Sequence, residues 1–194
     1  MIRTRLHLLG VALLIPALAL TTGLGAAASL PPEPVSDQHA SHTEATSSTF
    51  VEQVRDATAI YRNAQLAIDV GKYEPFGGCV SGPEVGAMGM HFVNRELLFD
   101  KTLDVNQPEA LIYELKDGQA RLVGVEYIIP AADWDGANAE PPVPPVRRGQ
   151  LFHFVDSPNR FRLPAFYELH VWAWRDNPNG TFVDWNPRVS CDGQ

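Results

Sequence analysis

Three acids or imidazoles in this chain stand at strand positions whose neighbours are apolar: Glu126, Glu168 and His170. The stretch 166–174 reads Phe-Tyr-Glu-Leu-His-Val-Trp-Ala-Trp. On a period of two, Tyr167, Leu169, Val171 and Ala173 point one way, and Phe166, Glu168, His170, Trp172 and Trp174 the other. A carboxylate and an imidazole therefore project side by side among aromatics. Burying a neutral polar group without a partner costs about 2–7 kcal/mol, and a charge more. The pair is either a hydrogen-bonded pin in the sheet or part of a metal or catalytic site. In 121–129, Leu122, Gly124, Glu126 and Ile128 share a face, which sets a second acid in an otherwise apolar strand. In 88–94, His91 and Val93 share a face, with Met88 and Met90 beside them.

Three chemistries of different classes use these residues. The first is a metal site built from His91 and His170 with Glu126 or Glu168, and His153 in reserve. Two imidazoles and a carboxylate leave coordination positions open, which suits iron redox chemistry or zinc hydrolysis, while Met88 and Met90 would favour copper. No histidine pair here has H-x-H or H-E-x-x-H spacing, so only the fold can bring the ligands together. The second is a non-catalytic module for a small or carbohydrate-like ligand, with Trp172, Trp174 and Trp185 on two arms of a hairpin, Trp134 in a nearby loop, and Asn177, Asp184 and Asn186 for polar contacts. Against it, tryptophans at alternating strand positions are ordinary core. The third is a metal-free hydrolase or lyase pairing a histidine with Glu168 or Asp184. Ser81, flanked as Val-Ser-Gly, lacks the Gly-x-Ser-x-Gly elbow. His39 and His42 have His-x-x-His spacing but no frame to hold them.

The elements that must position these residues follow from periodicity. Thr49 to Glu52 has the form of a capping box, and Phe50, Val54, Ala57, Tyr61, Ala64 and Ile68 recur at helical spacing up to Gly71. The glycine- and proline-rich 73–89 reads as loop. Strands are expected at 88–94, at 111–115 and 121–129 around Asp117-Gly118, and at 151–155 with His153. The 166–174 strand is expected to return through a turn-rich segment as 181–185, and Pro141-Pro142 and Pro144-Pro145 mark a surface excursion. One helix followed by hairpins without alternating helices predicts an α+β domain: a largely antiparallel sheet or partly closed barrel covered by one N-terminal amphipathic helix.

Composition bounds the setting. Arg3 and Arg5, an apolar run over 8–20, and Ala26-x-Ala28 form the layout of a secretory signal peptide, short of the roughly 20 residues of a membrane span. Cleavage after Ala28 predicts a leader at 1–28, a flexible linker at 29–48, a single domain at 49–194, and a periplasmic or extracellular location. Losing the leader takes the formal charge from −8 to −10, which disfavours nucleic acid or an anionic membrane as partner and leaves a small molecule or a metal ion. The two cysteines, Cys79 and Cys191, pair by elimination in an oxidising compartment.

At 76–94, with Gly-Gly-Cys-Val-Ser-Gly-Pro and Gly-Ala-Met-Gly-Met-His-Phe-Val-Asn, and at 167–191, the sequence resembles a group of uncharacterised exported bacterial proteins that share those stretches. The resemblance covers most of the mature domain. It implies a shared single domain and no particular reaction.

Overall fold

The structure, a computed structural model, describes residues 38–138 and 143–192, with side chains from 47 onward. The expected leader 1–28, residues 29–37 of the expected linker, Pro141-Pro142 and the side chains of His39 and His42 lie outside these residues.

Helix α1 spans Gln38–Thr58. No glycine or proline interrupts it, so Thr49 lies inside the helix and is not the expected cap. Its packed part begins at Phe50, which with Val54 is fully buried against the sheet. The helix expected to run on towards residue 70 is broken. After a 3-10 turn at Ala59–Arg62, Asn63 turns extended and accepts the Gln65 N–H at 3.0 Å, capping a separate helix α2, Ala64–Asp69. Among the described residues no helix is long and apolar enough to cross a membrane.

Strands β1 (Glu74–Gly82), β2 (Gly86–Val93), β3 (Ala110–Lys116) and β4 (Gln119–Pro130) follow, with a short helix α3 at Arg95–Leu98 between β2 and β3. Helix α4 (Ala131–Ala137), a small β5–β6 hairpin (Val146–Arg147 and Gln150–Leu151), β7 (His153–Val155) and β8 (Phe166–Val171) complete the chain. Six strands form one antiparallel half-barrel sheet in the order β1-β2-β3-β4-β8-β7. The α+β class and antiparallel sheet expected from the pattern are therefore present. The 73–89 stretch is not the expected loop: it forms β1 and the start of β2, and Gly77 at φ +66° together with register breaks around Val80 accommodates the glycines within a bent edge strand. The β3–β4 turn is as read, with Asp117 and Gly118 both at positive φ (54° and 73°).

Two local irregularities move side chains to the other face. Ile112 pairs with Gly124 but Tyr113 with Leu122, so Val123 is an extra residue in β4. Leu122 consequently packs on the helical side with Val125, Tyr127 and Ile129, opposite to Glu126, against the simple alternation. β8 ends at Val171: the Trp174 and Arg175 N–H groups both donate to the Val123 carbonyl, at 3.1 and 3.0 Å. The chain turns there, and Trp174 ends on the helical side, donating its indole N–H to Thr58 Oγ1 at 3.1 Å. Residues 181–185 form turns and not the returning strand. The side chains of Asn177 and Asn186 hold local backbone groups at Trp185 and Asp176, offering that segment an alternative to a ladder.

The Cys79–Cys191 disulfide is formed, with Cα atoms 5.7 Å apart. It ties β1 to the C-terminal segment.

On the helical side Glu109 is 1% exposed and accepts the Ile128 N–H at 2.9 Å. Burial drives its carboxyl up to about 8. Because the folded carboxyl holds its proton above the ordinary value near 4.5, the unfolded chain ionises first, and the folded state loses about 1.4 kcal/mol per pH unit as pH rises from there towards 8. Glu109→Gln, which cannot ionise, should gain on the wild type by up to a few kcal/mol across that window and by nothing below it. Denaturant titrations at pH 4 and pH 8 measure the difference; an equal ΔΔG at both would show that Glu109 is not held protonated.

Candidate metal centre

The face of the sheet away from α1 carries a polar band between two apolar patches. At one end Ala87, Ile112, Val123 and Trp172 cluster, and at the other Val93, Ala110, Ile128 and Phe166. Between them, along β2, β4 and β8, lie His91, Glu126, Glu168 and His170, all between 1% and 6% exposed. The pleat places them there: Glu126 stands directly opposite His170 across β4 and β8, and Glu168 opposite His153 across β8 and β7. His91 is two strands from Glu126. Between them the strand β3 presents Ala110 and Ile112, and the small Ala110 lets His91 Nε2 reach Glu126 Oε2 at 3.3 Å.

Two groups of potential ligands result, each with one donor atom per residue and all such atoms within 4.8 Å of one another. His91, Glu126 and His170 form the first, wholly buried; His153, Glu168 and Asp184 form the second, which reaches the surface at His153. The rings of His91 and His170 are perpendicular, with centroids 5.9 Å apart. The expected convergence of the two histidines with Glu126 is therefore present, and Glu168 belongs to the adjoining group. Met90 packs into the helical-side core, on the opposite face of β2 from His91, so it brings no thioether to the site.

Neither ring nitrogen of His170 has a hydrogen-bond partner. Its Nδ1 lies 3.6 Å from Asp184 Oδ1, too far for a hydrogen bond, while Asp184 Oδ1 is 3.1 Å from His153 Nδ1. Burial depresses His91 to about 4, and burial with the neighbouring His91 and His153 charges holds His170 well below its ordinary value. Burial and the nearby Glu168 charge push Glu126 well above the usual carboxylate range; Glu168 is also raised, chiefly by burial, and the two carboxyls are within hydrogen-bonding reach of each other. Burial thus favours the neutral form of both imidazoles, the form that can ligate a cation, and disfavours ionisation of both carboxyls unless a positive charge is near.

Above His91 and Glu126 opens a pocket of about 450 Å³. Gly77 and Gly78 of β1 form one wall, and Phe161, Arg160 and Arg162 of the loop before β8 another. The arginines were not singled out from the sequence; the alternation Arg160-Phe161-Arg162 in an acidic chain is the signal that could have found them. Asp184 as a companion of His153 was likewise missed as a ligand, because it lies in turns that the expected strand 181–185 obscured. The three tryptophans do not make a ligand platform: Trp172 is buried at 3%, Trp174 is on the other side of the sheet, and Trp185 lies under Arg160, whose guanidinium carbon is 6.0 Å from the ring. No family model, curated protein or solved structure matches the chain.

Proposed function

We propose that this is an exported metal-dependent protein in which His91, Glu126 and His170 hold one divalent transition metal, iron or zinc, at the floor of the pocket, where a small molecule is turned over. The observation that carries this reading is His170: a side chain 1% exposed, with both nitrogens unpartnered, beside a second neutral imidazole and a buried carboxyl. Leaving such groups unsatisfied costs about 1–3 kcal/mol each, and a cation satisfies them together. Three protein donors are fewer than zinc or iron takes, so the bound ion keeps positions for water or substrate, zinc supplying Lewis-acid hydrolysis and iron redox chemistry.

The protein's own residues do the rest. His91 and Glu126 face both the ion and the pocket, so a substrate there meets the metal directly. The mostly apolar wall excludes water, and Arg160 and Arg162 offer positive charge to an anionic group on a substrate with an apolar body. Untagged mature protein, purified from the compartment to which it is exported, should contain near-stoichiometric iron or zinc by elemental analysis, and chelation should lower its melting temperature. Protein that contains neither metal, and that binds neither when supplied, would end this reading.

A further inference from the structure

The second ligand group adjoins the first too closely to be independent of it. Three imidazoles and three carboxylates lie in one band: His91, Glu126 and His170, then Glu168, His153 and Asp184. Among the described residues no lysine or arginine is within salt-bridge distance of Glu126, Glu168 or Asp184, and the basic groups beside them are the histidines of the band. A single divalent ion offsets two of the three negative charges; two ions offset all three and leave one positive charge for a bound hydroxide.

We propose that the band holds two cations, the second bound by His153, Glu168 and Asp184. This rests on the metal reading of the first group and extends it to a dinuclear centre. His170 supplies the observation independent of charge. It sits between the groups with both nitrogens bare, and Nδ1 faces the second group, 3.6 Å from Asp184 Oδ1, a gap too long for a hydrogen bond. The second group also reaches solvent on its own side: the His153 side chain is 52% exposed on edge strand β7 and Asp184 26% exposed, whereas His91 and Glu126 of the first group are reached from the pocket. Two ions held by these residues would supply Lewis-acid stabilisation of both the attacking and the leaving oxygen of a displacement, which narrows the substrate class to hydrolysable esters or phosphoesters carrying an anionic group.

Titrating metal-stripped, disulfide-intact mature protein with Zn(II) should reveal two equivalents. His153→Ala and Asp184→Asn should each remove one and leave one; His153 lies on an exposed edge and Asp184→Asn preserves shape, so neither should change the far-UV circular dichroism. One equivalent in the wild type, unaffected by Asp184→Asn and lost in His91→Ala, overturns the second site and leaves the first standing. No bound zinc at all overturns both.

Discussion

Replacing His170 by alanine should abolish metal binding at the buried group while leaving the domain folded. The imidazole is one of three donors, and losing a supporting partner of a ligand already costs about 10- to 100-fold in affinity, so loss of the ligand itself should exceed that. In the metal-free protein the same substitution should be mild. Truncating a buried side chain of this size costs about 2–5 kcal/mol through the cavity it leaves, but here it also removes two polar atoms that have no hydrogen bonds, whose burial costs about 1–3 kcal/mol. These terms oppose each other. Calorimetric titration with Zn(II) beside a denaturant curve on stripped protein separates them. A variant that binds zinc as the wild type does would show His170 to be no ligand, and one that cannot fold without metal would show it to be a packing residue first.

Removing the disulfide by Cys79→Ser with Cys191→Ser should produce the largest loss of stability. The bond spans 112 residues of sequence, and constraining a loop of that length is worth about 4–5 kcal/mol in the chain-entropy model. Against a total of about 5–15 kcal/mol for a domain, that leaves the protein marginal. The damage should concentrate at the pocket wall. β1 is an edge strand with two register breaks, and its other tie at this end is an irregular ladder to β2. Of the strands that carry the ligands of the buried group, β2, β4 and β8, only β2 with His91 pairs with β1. Zinc affinity of the folded fraction should therefore fall less than stability does, and amide exchange should accelerate first in β1. Equal loss of both would mean that the disulfide positions the ligands themselves.

The band was legible because the pleat does not depend on tertiary context: Glu168, His170 and Glu126 were placed by a period of two and stand where it put them, as does His91 beside Val93. The hairpin at Asp117-Gly118 was legible because its turn needs two positive φ values that those residues tolerate. What periodicity could not see were events that cost one residue of register. Val123 bulges out and reverses Leu122, and the turn at Ala173 carries Trp174 across the sheet. Glycines in 73–89 look like loop in isolation; pairing with β2 overrides that propensity and makes them a strand. Asp184 and Arg160 sit on irregular segments, where spacing carries no information about direction, so their approach to the site was visible only once the chain was folded.

Anomalous diffraction from crystals of untagged, zinc-loaded protein, collected on both sides of the zinc edge, tests the metal centre most directly. The expected result is a peak between His91, Glu126 and His170, with nitrogen and oxygen donors about 2.0–2.2 Å away. A map with no peak among these three side chains, or with zinc bound only at surface histidines, would contradict it and leave Glu126 and His91 as a buried structural pair.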